Sequence, residues 1–200
     1  MKTEDREYTE RLQQLEGPLW KKLLWVQLPY RWNIRRLHRG LTLEIGCGIG
    51  RNLLHLAGHA VGVDHNPESV AIARSRGLEA FTPSQFEASP FCITGRFDGL
   101  LLAHVAEHMT ATDAAQLLGK YLALLRAGGQ VTIITPQERG FRSDPTHVEF
   151  LGFDELRQIA DASGLRTVLQ YSFPFPRWAG RWFTYNEFVS VSVKIAGTRQ

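Results

Sequence analysis

The chain has 200 residues, of which 44% are hydrophobic and 22% are charged, and its net charge is +3 at pH 7. This composition is ordinary for one globular domain that is large enough to bury a sizeable core. No stretch approaches 18 uncharged apolar residues, and the first 14 residues are polar and include acids, so we expect neither a transmembrane helix nor a signal peptide. Cys47 and Cys92 are too few for a disulfide framework, so we predict a cytoplasmic protein.

The first 39 residues are predicted to form an N-terminal helical cap on a single domain that spans residues 1–200. Residues 3–16 predict one helix, and Pro18 suits the first turn of a second helix. The second helix and its flank carry a cluster of basic and aromatic residues: Lys21, Lys22, Arg31, Arg35, Arg36, His38 and Arg39, with Trp20, Trp25, Tyr30 and Trp32. We favour a solvated basic face with the aromatics on the core. The alternative is a patch for phosphate, nucleic acid or an anionic substrate.

Short apolar runs and helical patterns alternate through the middle of the chain. Buried strands are predicted at residues 41–45, 59–63, 78–81, 97–102 and 130–135, and helices at 50–57, 67–76 and 113–129. Gly128 and Gly129 are predicted to stop the last of these helices. The alternation indicates a parallel sheet wound with crossover helices. A helix at 152–164 and strands at 165–172 and 186–195 follow, and we expect these two strands to pair antiparallel.

A glycine-rich loop joins the first predicted strand to the next helix. It reads Gly-Cys-Gly-Ile-Gly over residues 46–50. Gly46 and Gly48 permit a tight turn and a close approach of the backbone to a ligand, and Gly50 lets the helix pack near the strand. Asp64 follows the second strand, where a nucleotide-binding α/β fold has an acid for ribose hydroxyls. A plain turn and a surface aspartate are the alternatives, but the combination favours nucleotide binding.

Three stretches, LEIGCGIGRNL, VGVDHNPESVAIAR and RFDGLLLAHVAEHM, resemble successive motifs of class I S-adenosylmethionine-dependent methyltransferases. The resemblance covers residues 40–165. It implies an α/β, Rossmann-like, seven-stranded and mostly parallel sheet with an antiparallel last strand and helices on both faces. It also implies S-adenosylmethionine as the cofactor, bound by Glu44, Gly46, Cys47, Gly48, Gly50, Asp64, His65, Gln85, Phe86 and His104. Gln85 stands at or near the usual acid, and its amide can still pair with the edge of adenine.

Residues 104–108, His-Val-Ala-Glu-His, match the pattern of the inverted zinc peptidases. Peptidase chemistry needs this motif on a long helix with a further protein ligand. Here the motif begins where a predicted buried strand ends, so we expect no peptidase. In the resembled family this position lies beside the methyl group to be transferred. The Glu-His pair is often structural there, so Glu107 and His108 as braces of the loop are one alternative.

The other alternative is a divalent-metal site. A helical turn over residues 104–109 would put His104, Glu107 and His108 on one face. Asp144 and His147 follow the fifth strand and are expected to border the same cleft. These five candidate ligands resemble those of metal-dependent O-methyltransferases that act on the terminal ribose of small RNAs or on catechol-like quinone precursors, although His104 stands where an acid is common.

We favour the metal site over a metal-free one. Mg, Mn and Zn are the candidate ions, and a ligand set with three imidazoles and a carboxylate favours zinc, manganese or iron over magnesium. Without a metal, His104 or His147 is the predicted general base and catalytic residue.

Residues 172–188 form an aromatic insert before the last strand. Arg177, Trp178, Trp182 and Tyr185 are the predicted acceptor contacts, because aromatic rings stack on sugars or bases and arginines fix polar groups. A hydrophobic cap or a homodimer surface is the alternative. We predict a metal-assisted O-methyltransferase that acts on a small molecule or a carbohydrate, such as a methylated mannoside. An RNA-directed 2′-O-methyltransferase, a metal-free methyltransferase with a histidine base, and a non-catalytic cofactor binder remain as alternatives.

Overall fold

The computed structural model describes residues 20–195, and the side chains from residue 27 onward. The predicted helix at 3–16 and the role of Pro18 lie outside the described residues. The chain divides into two compact units, Met1–Cys92 and Ile93–Gln200, called here the first and the second unit.

Between residues 20 and 92, the first unit contains a three-stranded parallel sheet with four helices. Its elements are α1 (Trp20–Leu37), β1 (Thr42–Ile45), α2 (Arg51–Leu56), β2 (Ala60–Val63), α3 (Pro67–Ser75), β3 (Ala80–Phe81) and α4 (Pro83–Glu87). Strand β2 pairs in parallel with β1 on one side and with β3 on the other. All residues of β1 and β2 are buried, as expected for parallel strands with both faces covered.

Side chains at their first turns fix where two helices of the first unit begin. Asn66 is the N-cap of α3, and its Oδ1 accepts hydrogen bonds from the amides of Glu68 (2.9 Å) and Ser69 (3.2 Å). Pro67 follows at the first helical position, where its missing amide proton costs no hydrogen bond. Helix α4 begins with a capping box between Thr82 and Gln85. The sequence predicted α3 but not α4.

The second unit contains four strands. Its elements are β4 (Phe97–Ala103), a 3₁₀ turn (Ala106–His108), α5 (Ala111–Tyr121), a 3₁₀ turn (Leu122–Leu124), β5 (Leu125–Pro136), α6 (Glu138–Phe141), α7 (Phe153–Ala162), β6 (Leu165–Phe173), a 3₁₀ turn (Arg177–Arg181) and β7 (Glu187–Lys194). Strand β4 pairs in parallel with β5, and β7 pairs antiparallel with both β5 and β6. The predicted antiparallel pairing of the last two strands is confirmed.

The seven strands have the order β3-β2-β1-β4-β5-β7-β6. The sheet is mostly parallel, the last strand is antiparallel, and helices lie around it. The predicted fold class, including an N-terminal helix, is therefore confirmed. Strand β4 ends at Ala103, directly before the His-Val-Ala-Glu-His motif, as predicted.

The predicted helix over residues 113–129 is wrong in its second half. Helix α5 ends at Tyr121, and the chain is already in β5 from Leu125. The pairing of β4 with β5 jumps from Phe97–Leu125 to Gly99–Gln130, so Gly128, with φ of +70°, lies in an irregular stretch of strand and does not stop a helix. Leucines pack equally well on a helix and on a buried strand, so their spacing did not reveal the change.

Candidate functional site

The glycine loop leaves β1 and turns back on the end of β2. The amide of Gly46 donates to the carbonyl oxygen of Val63 (2.7 Å), and the amide of Gly48 donates to Oδ2 of Asp64 (2.7 Å). Gly50 has φ of +86°, and a side chain there would collide with Leu78, so both the conformation and the packing require glycine. The loop thus has the form that the sequence predicted.

Asp64 lies at the end of β2 and has 8% of its surface exposed. Its Oδ1 accepts from the amide of Asn66 (2.9 Å), while Oδ2 accepts from Gly48. His65, which is exposed, has Nδ1 3.7 Å from Oδ1 of Asp64. The carboxylate therefore fixes the glycine loop. Each carboxylate oxygen can accept a further hydrogen bond, for example from a ribose hydroxyl.

Glu44 and Cys47 are both buried. Oε1 of Glu44 accepts from Nδ2 of Asn52 (2.6 Å), which ties β1 to α2. Burial raises the pKa of the Cys47 thiol far above its usual range, and the negative charges of Glu44 and Asp64 raise it further. The thiol stays protonated, so Cys47 is not a nucleophile.

The two predicted adenine contacts lie on the short helix α4. Gln85 is exposed, and its Oε1 accepts from the amide of Thr82 (3.1 Å) as part of the capping box. Phe86 is buried with 2% of its surface exposed, and its ring meets that of Phe81 edge to face. Gln85 is thus accessible to a ligand, whereas the ring of Phe86 belongs to the core of the first unit.

His104 follows β4 in a left-handed backbone conformation, with φ of +59°, that is rare for a non-glycine residue. Its Nε2 lies 2.8 Å from Oε1 of Glu187, and its Nδ1 lies 3.3 Å from Oε1 of Glu107. Burial by itself lowers the pKa of His104, but the two carboxylates outweigh it and raise the pKa to about 10. An imidazole with this pKa is protonated at neutral pH, which argues against His104 as a general base.

Glu187 is a site residue that the sequence analysis missed. It begins β7 and is 9% exposed. Because β7 is antiparallel, its first residue pairs with Pro136 at the end of β5, at the edge of the sheet where the parallel strands β4 and β5 end. The sequence signal that could have identified Glu187 is an acidic residue at the start of the predicted antiparallel last strand.

Glu107, His108 and His147 form a cluster whose candidate ligand atoms all lie within 4.8 Å of one another. Glu107 is 1% exposed, and among the described residues neither of its carboxylate oxygens has a hydrogen-bond partner. The contact from His104 Nδ1 is within ion-pair range only. The protonated His104 gives this buried carboxylate one cationic neighbour, and a metal ion held together with His108 and His147 would give its oxygens direct partners.

The ring orientations of the two cluster histidines follow from their hydrogen bonds. Nδ1 of His147 lies 2.7 Å from the carbonyl oxygen of Phe141, which can only accept, so Nδ1 carries the proton. The Thr146 hydroxyl donates to Oδ1 of Asp144 (2.7 Å), so it can only accept from His108. Nδ1 of His108 lies 3.2 Å from both the hydroxyl oxygen and the carbonyl oxygen of Thr146, and it therefore carries the proton. In both rings Nδ1 is therefore a donor, and a metal would be bound through Nε2, the usual arrangement for histidine ligands.

The backbone also holds the cluster together. The amide of Val148 donates to the carbonyl oxygen of Glu107 (2.8 Å), which fixes the loop of His147 against the turn of Glu107. The rings of His108 and His147 have centroids 4.9 Å apart. Of the five predicted metal ligands, the structure therefore brings three together. His104 contacts the cluster only through Glu107, and Asp144 orients Thr146.

The aromatic insert exposes most of its predicted acceptor contacts. Trp178, Trp182 and Tyr185 are 63%, 71% and 57% exposed. Arg177 is already engaged, because its guanidinium makes two hydrogen bonds to the carboxylate of Glu138 and lies 4.6 Å over the ring of Phe188. Arg177 therefore anchors the insert to the sheet, and the exposed rings are the groups that can meet a ligand.

Comparison with known proteins identifies a methyltransferase domain over residues 42–129. An uncharacterized methyltransferase of Bacillus cytotoxicus is 32% identical over 106 residues, which cover 50% of each chain. The chain thus spans about half the length of the curated relative that it matches.

Solved structures share the fold at low identity. A putative methyltransferase of Haloferax volcanii, solved with the Trm112 methyltransferase activator, has a TM-score of 0.71 at 18% identity and covers 98% of both chains. The magnesium protoporphyrin IX methyltransferase of Synechocystis, solved with S-adenosylhomocysteine, has a TM-score of 0.66 at 14% identity, with 96% of both chains covered. A SAM-dependent methyltransferase of Archaeoglobus fulgidus has a TM-score of 0.64 at 18% identity, with 86% of this chain and 99% of that chain covered.

None of the helices between residues 20 and 195 has the length and apolar content needed to cross a bilayer. The matched domain begins with β1 and includes the glycine loop and Asp64. The fold around it is shared with the similar solved structures. Residues 42–129 therefore match a methyltransferase domain, and the chain shares its fold with S-adenosylmethionine-dependent methyltransferases, the family that its motifs resemble.

Proposed function

We propose that the chain transfers the methyl group of S-adenosylmethionine to a hydroxyl group of a small molecule or carbohydrate, with a divalent cation bound by Glu107, His108 and His147. The observation that carries the proposal is this cluster. One buried carboxylate without hydrogen bonds faces two imidazoles whose Nδ1 atoms are already committed as donors.

The residues for the cofactor lie in the first unit. S-adenosylmethionine supplies an activated methyl group. The glycine loop provides backbone without side chains in the way, and Asp64 holds that loop through Gly48 while retaining acceptor capacity for ribose hydroxyls. Gln85 is exposed and offers an amide to adenine. The predicted cofactor contacts of Glu44, His65, Phe86 and His104 stay predictions.

The donor set of the cluster fits a divalent transition metal. A carboxylate with two imidazoles suits zinc or manganese better than magnesium, which prefers oxygen ligands. A bound cation of this kind lowers the pKa of a coordinated hydroxyl. Glu187 and His104 are positioning residues in this proposal: Glu187 holds His104, and His104 holds the carboxylate of Glu107 in line with the cluster.

Carbohydrate is the acceptor class that the exposed rings favour. The rings of Trp178 and Trp182 lie 6.3 Å apart at 59°, and both are mostly exposed. Indole rings present a large apolar face on which sugar rings stack. Vicinal sugar hydroxyls also suit a site that activates a hydroxyl.

A methyl-transfer assay with labelled S-adenosylmethionine tests the proposal. Pools of oligosaccharides, small diols and RNA are offered to chelator-treated protein, with and without added manganese, zinc or magnesium. We expect labelling of a sugar or diol pool that chelation abolishes and a metal restores. Glu107→Gln and His147→Ala should each lower kcat by at least about 100-fold, since each removes a ligand. Cofactor affinity, measured by calorimetry, should stay unchanged.

The matched control is His59→Ala, which removes an exposed histidine of the first unit and should leave kcat unchanged. Elemental analysis of the purified protein gives a readout that does not depend on turnover. Full activity after exhaustive chelation, with no bound metal, would reject the metal and leave His147 as the candidate general base. Labelling of the RNA pool alone would replace the proposed acceptor.

A further inference from the structure

The part of the first unit between residues 20 and 63 has a basic surface that plays no role in the proposed reaction. Between residues 20 and 63 the sequence has seven lysines and arginines and a single acid, Glu44, which is 1% exposed. In the described part of α1 and its flank, the exposed residues recur at intervals of three or four and so share one face: Leu28, Trp32, Arg35, Arg36 and Arg39. The opposite face, which includes Asn33, Ile34 and His38, is buried. The exposed face is therefore not a random scatter of charges.

Helix α2 extends this surface. The Nε of Arg35 donates to the carbonyl oxygen of His55 (2.5 Å), which joins α1 to α2. The pKa of His55 is lowered to about 4, first by burial and then by the positive charges of Arg51, Arg31 and Arg35, so these arginines surround one point. On α2 itself, Arg51 is exposed and Leu54 is 47% exposed. We call the exposed side chains on α1, its flank and α2 the basic face.

Apolar side chains lie among the arginines, and they favour a lipid bilayer over a nucleic acid as the partner of this surface. Leu28 is 49% exposed and Trp32 is 59% exposed, one turn apart on the same side of α1. Leucine side chains do not bind phosphate, so exposed leucines among the cations are not explained by contacts with a phosphate backbone. At a bilayer surface, in contrast, arginines meet anionic headgroups while leucine and tryptophan enter the boundary below them.

We infer that the basic face binds an anionic lipid surface and holds the protein at a membrane as a peripheral protein. The positive charge and the near absence of acids complement anionic headgroups, and Leu28, Trp32 and Leu54 provide the apolar contact. Neither the family match nor the metal cluster enters this inference. It would bring the chain to acceptors that are themselves attached to lipid.

Vesicle flotation with the full chain tests the inference. The protein is mixed with phosphatidylcholine vesicles that contain or lack phosphatidylglycerol. We expect flotation only with the anionic vesicles, and weakening as salt is raised. Arg39→Gln combined with Arg51→Gln should lower the partition coefficient by about tenfold or more. Trp32→Ala should lower it with the charge unchanged.

The charge-matched control is Arg157→Gln combined with Arg166→Gln, which removes two exposed arginines of the second unit and should float like the wild type. Circular dichroism checks that each variant is folded. No flotation of the wild type, or equal loss in the control and test variants, would overturn the inference. Tight binding of an RNA oligonucleotide that depends on Arg39 and Arg51, without vesicle binding, would also overturn it and make the basic face a nucleic-acid site.

Discussion

His38 shows at the level of one residue how burial sets a pH limit on stability. It follows α1, is 6% exposed, and has Nδ1 3.3 Å from the Thr42 hydroxyl. Burial lowers the pKa of His38 from 6.5 to about 4. Between these two values the unfolded chain binds a proton at this residue and the folded chain does not. Protonation therefore favours the unfolded state.

We predict that the free energy of unfolding falls as the pH is lowered from about 6.5 towards about 4. The gap between the two pKa values of His38 corresponds to about 3 kcal/mol at most. His38→Gln should flatten this slope in denaturant titrations, although His55, whose pKa is also about 4, keeps part of it. The exposed His59→Gln should behave like the wild type. An identical slope in His38→Gln and wild type would contradict the prediction.

Asp64 is the residue on which cofactor binding is expected to depend most. Asp64→Ala should weaken binding of S-adenosylmethionine and of its demethylated product by about 1–3 kcal/mol, because charge-assisted hydrogen bonds are lost. The amide of Gly48 would also lose its acceptor in the glycine loop. Calorimetry measures both affinities, with the exposed Asp161→Ala as the control. Unchanged affinity in Asp64→Ala would reject the ribose role.

At the level of elements, the aromatic insert is a loop whose two ends belong to strands of the sheet. Residues 172–188 begin within β6 and end within β7. Asn186 is fully buried; its Nδ2 donates to Oε1 of Gln137 (2.9 Å), and its Oδ1 accepts from the amide of Phe175 (3.0 Å). These bonds anchor the ends of the insert. Trp178 therefore stands on a fixed turn, Arg177–Arg181, and Trp182 follows that turn directly.

Alanine substitutions of Trp178, Trp182 and Tyr185 should raise the KM for the acceptor and leave cofactor affinity nearly unchanged. The reason is that these side chains are more than half exposed and contribute little to the core. Steady-state kinetics with the acceptor found in the labelling screen measures the effect. Val168→Ala, at another exposed side chain of the second unit, is the control. Loss of cooperative unfolding in the tryptophan variants would show that the rings are core and that the stacking idea fails.

At the level of the whole molecule, the two compact units divide the proposed work. The first unit contains the glycine loop, Asp64 and the basic face, and the second unit contains the cluster of Glu107, His108 and His147 and the aromatic insert. The predictions of a single domain, of a homodimer and of a cytoplasmic location stay predictions. Substrate and partners likewise rest on the experiments proposed above.

The sequence by itself determined the strands, the glycine loop, Asp64 and all three residues of the cluster, Glu107, His108 and His147. These features depend on local pattern: continuous apolar runs, glycines at a strand end, and histidines near an acid. The resemblance to one family then predicted a seven-stranded, mostly parallel sheet with an antiparallel last strand, which the structure confirms. The end of α5 was not predictable in this way, because its leucines suit a helix and a buried strand alike.

Only the tertiary structure decided which partners the candidate ligands take. His104 pairs with Glu187, which is 83 residues further along the chain, because an antiparallel last strand begins where β4 ends. Asp144 binds Thr146, and Thr146 fixes the ring of His108, so Asp144 acts on the cluster from a distance. Such pairings depend on the distance between side chains after folding. The spacing of residues along the sequence does not predict that distance.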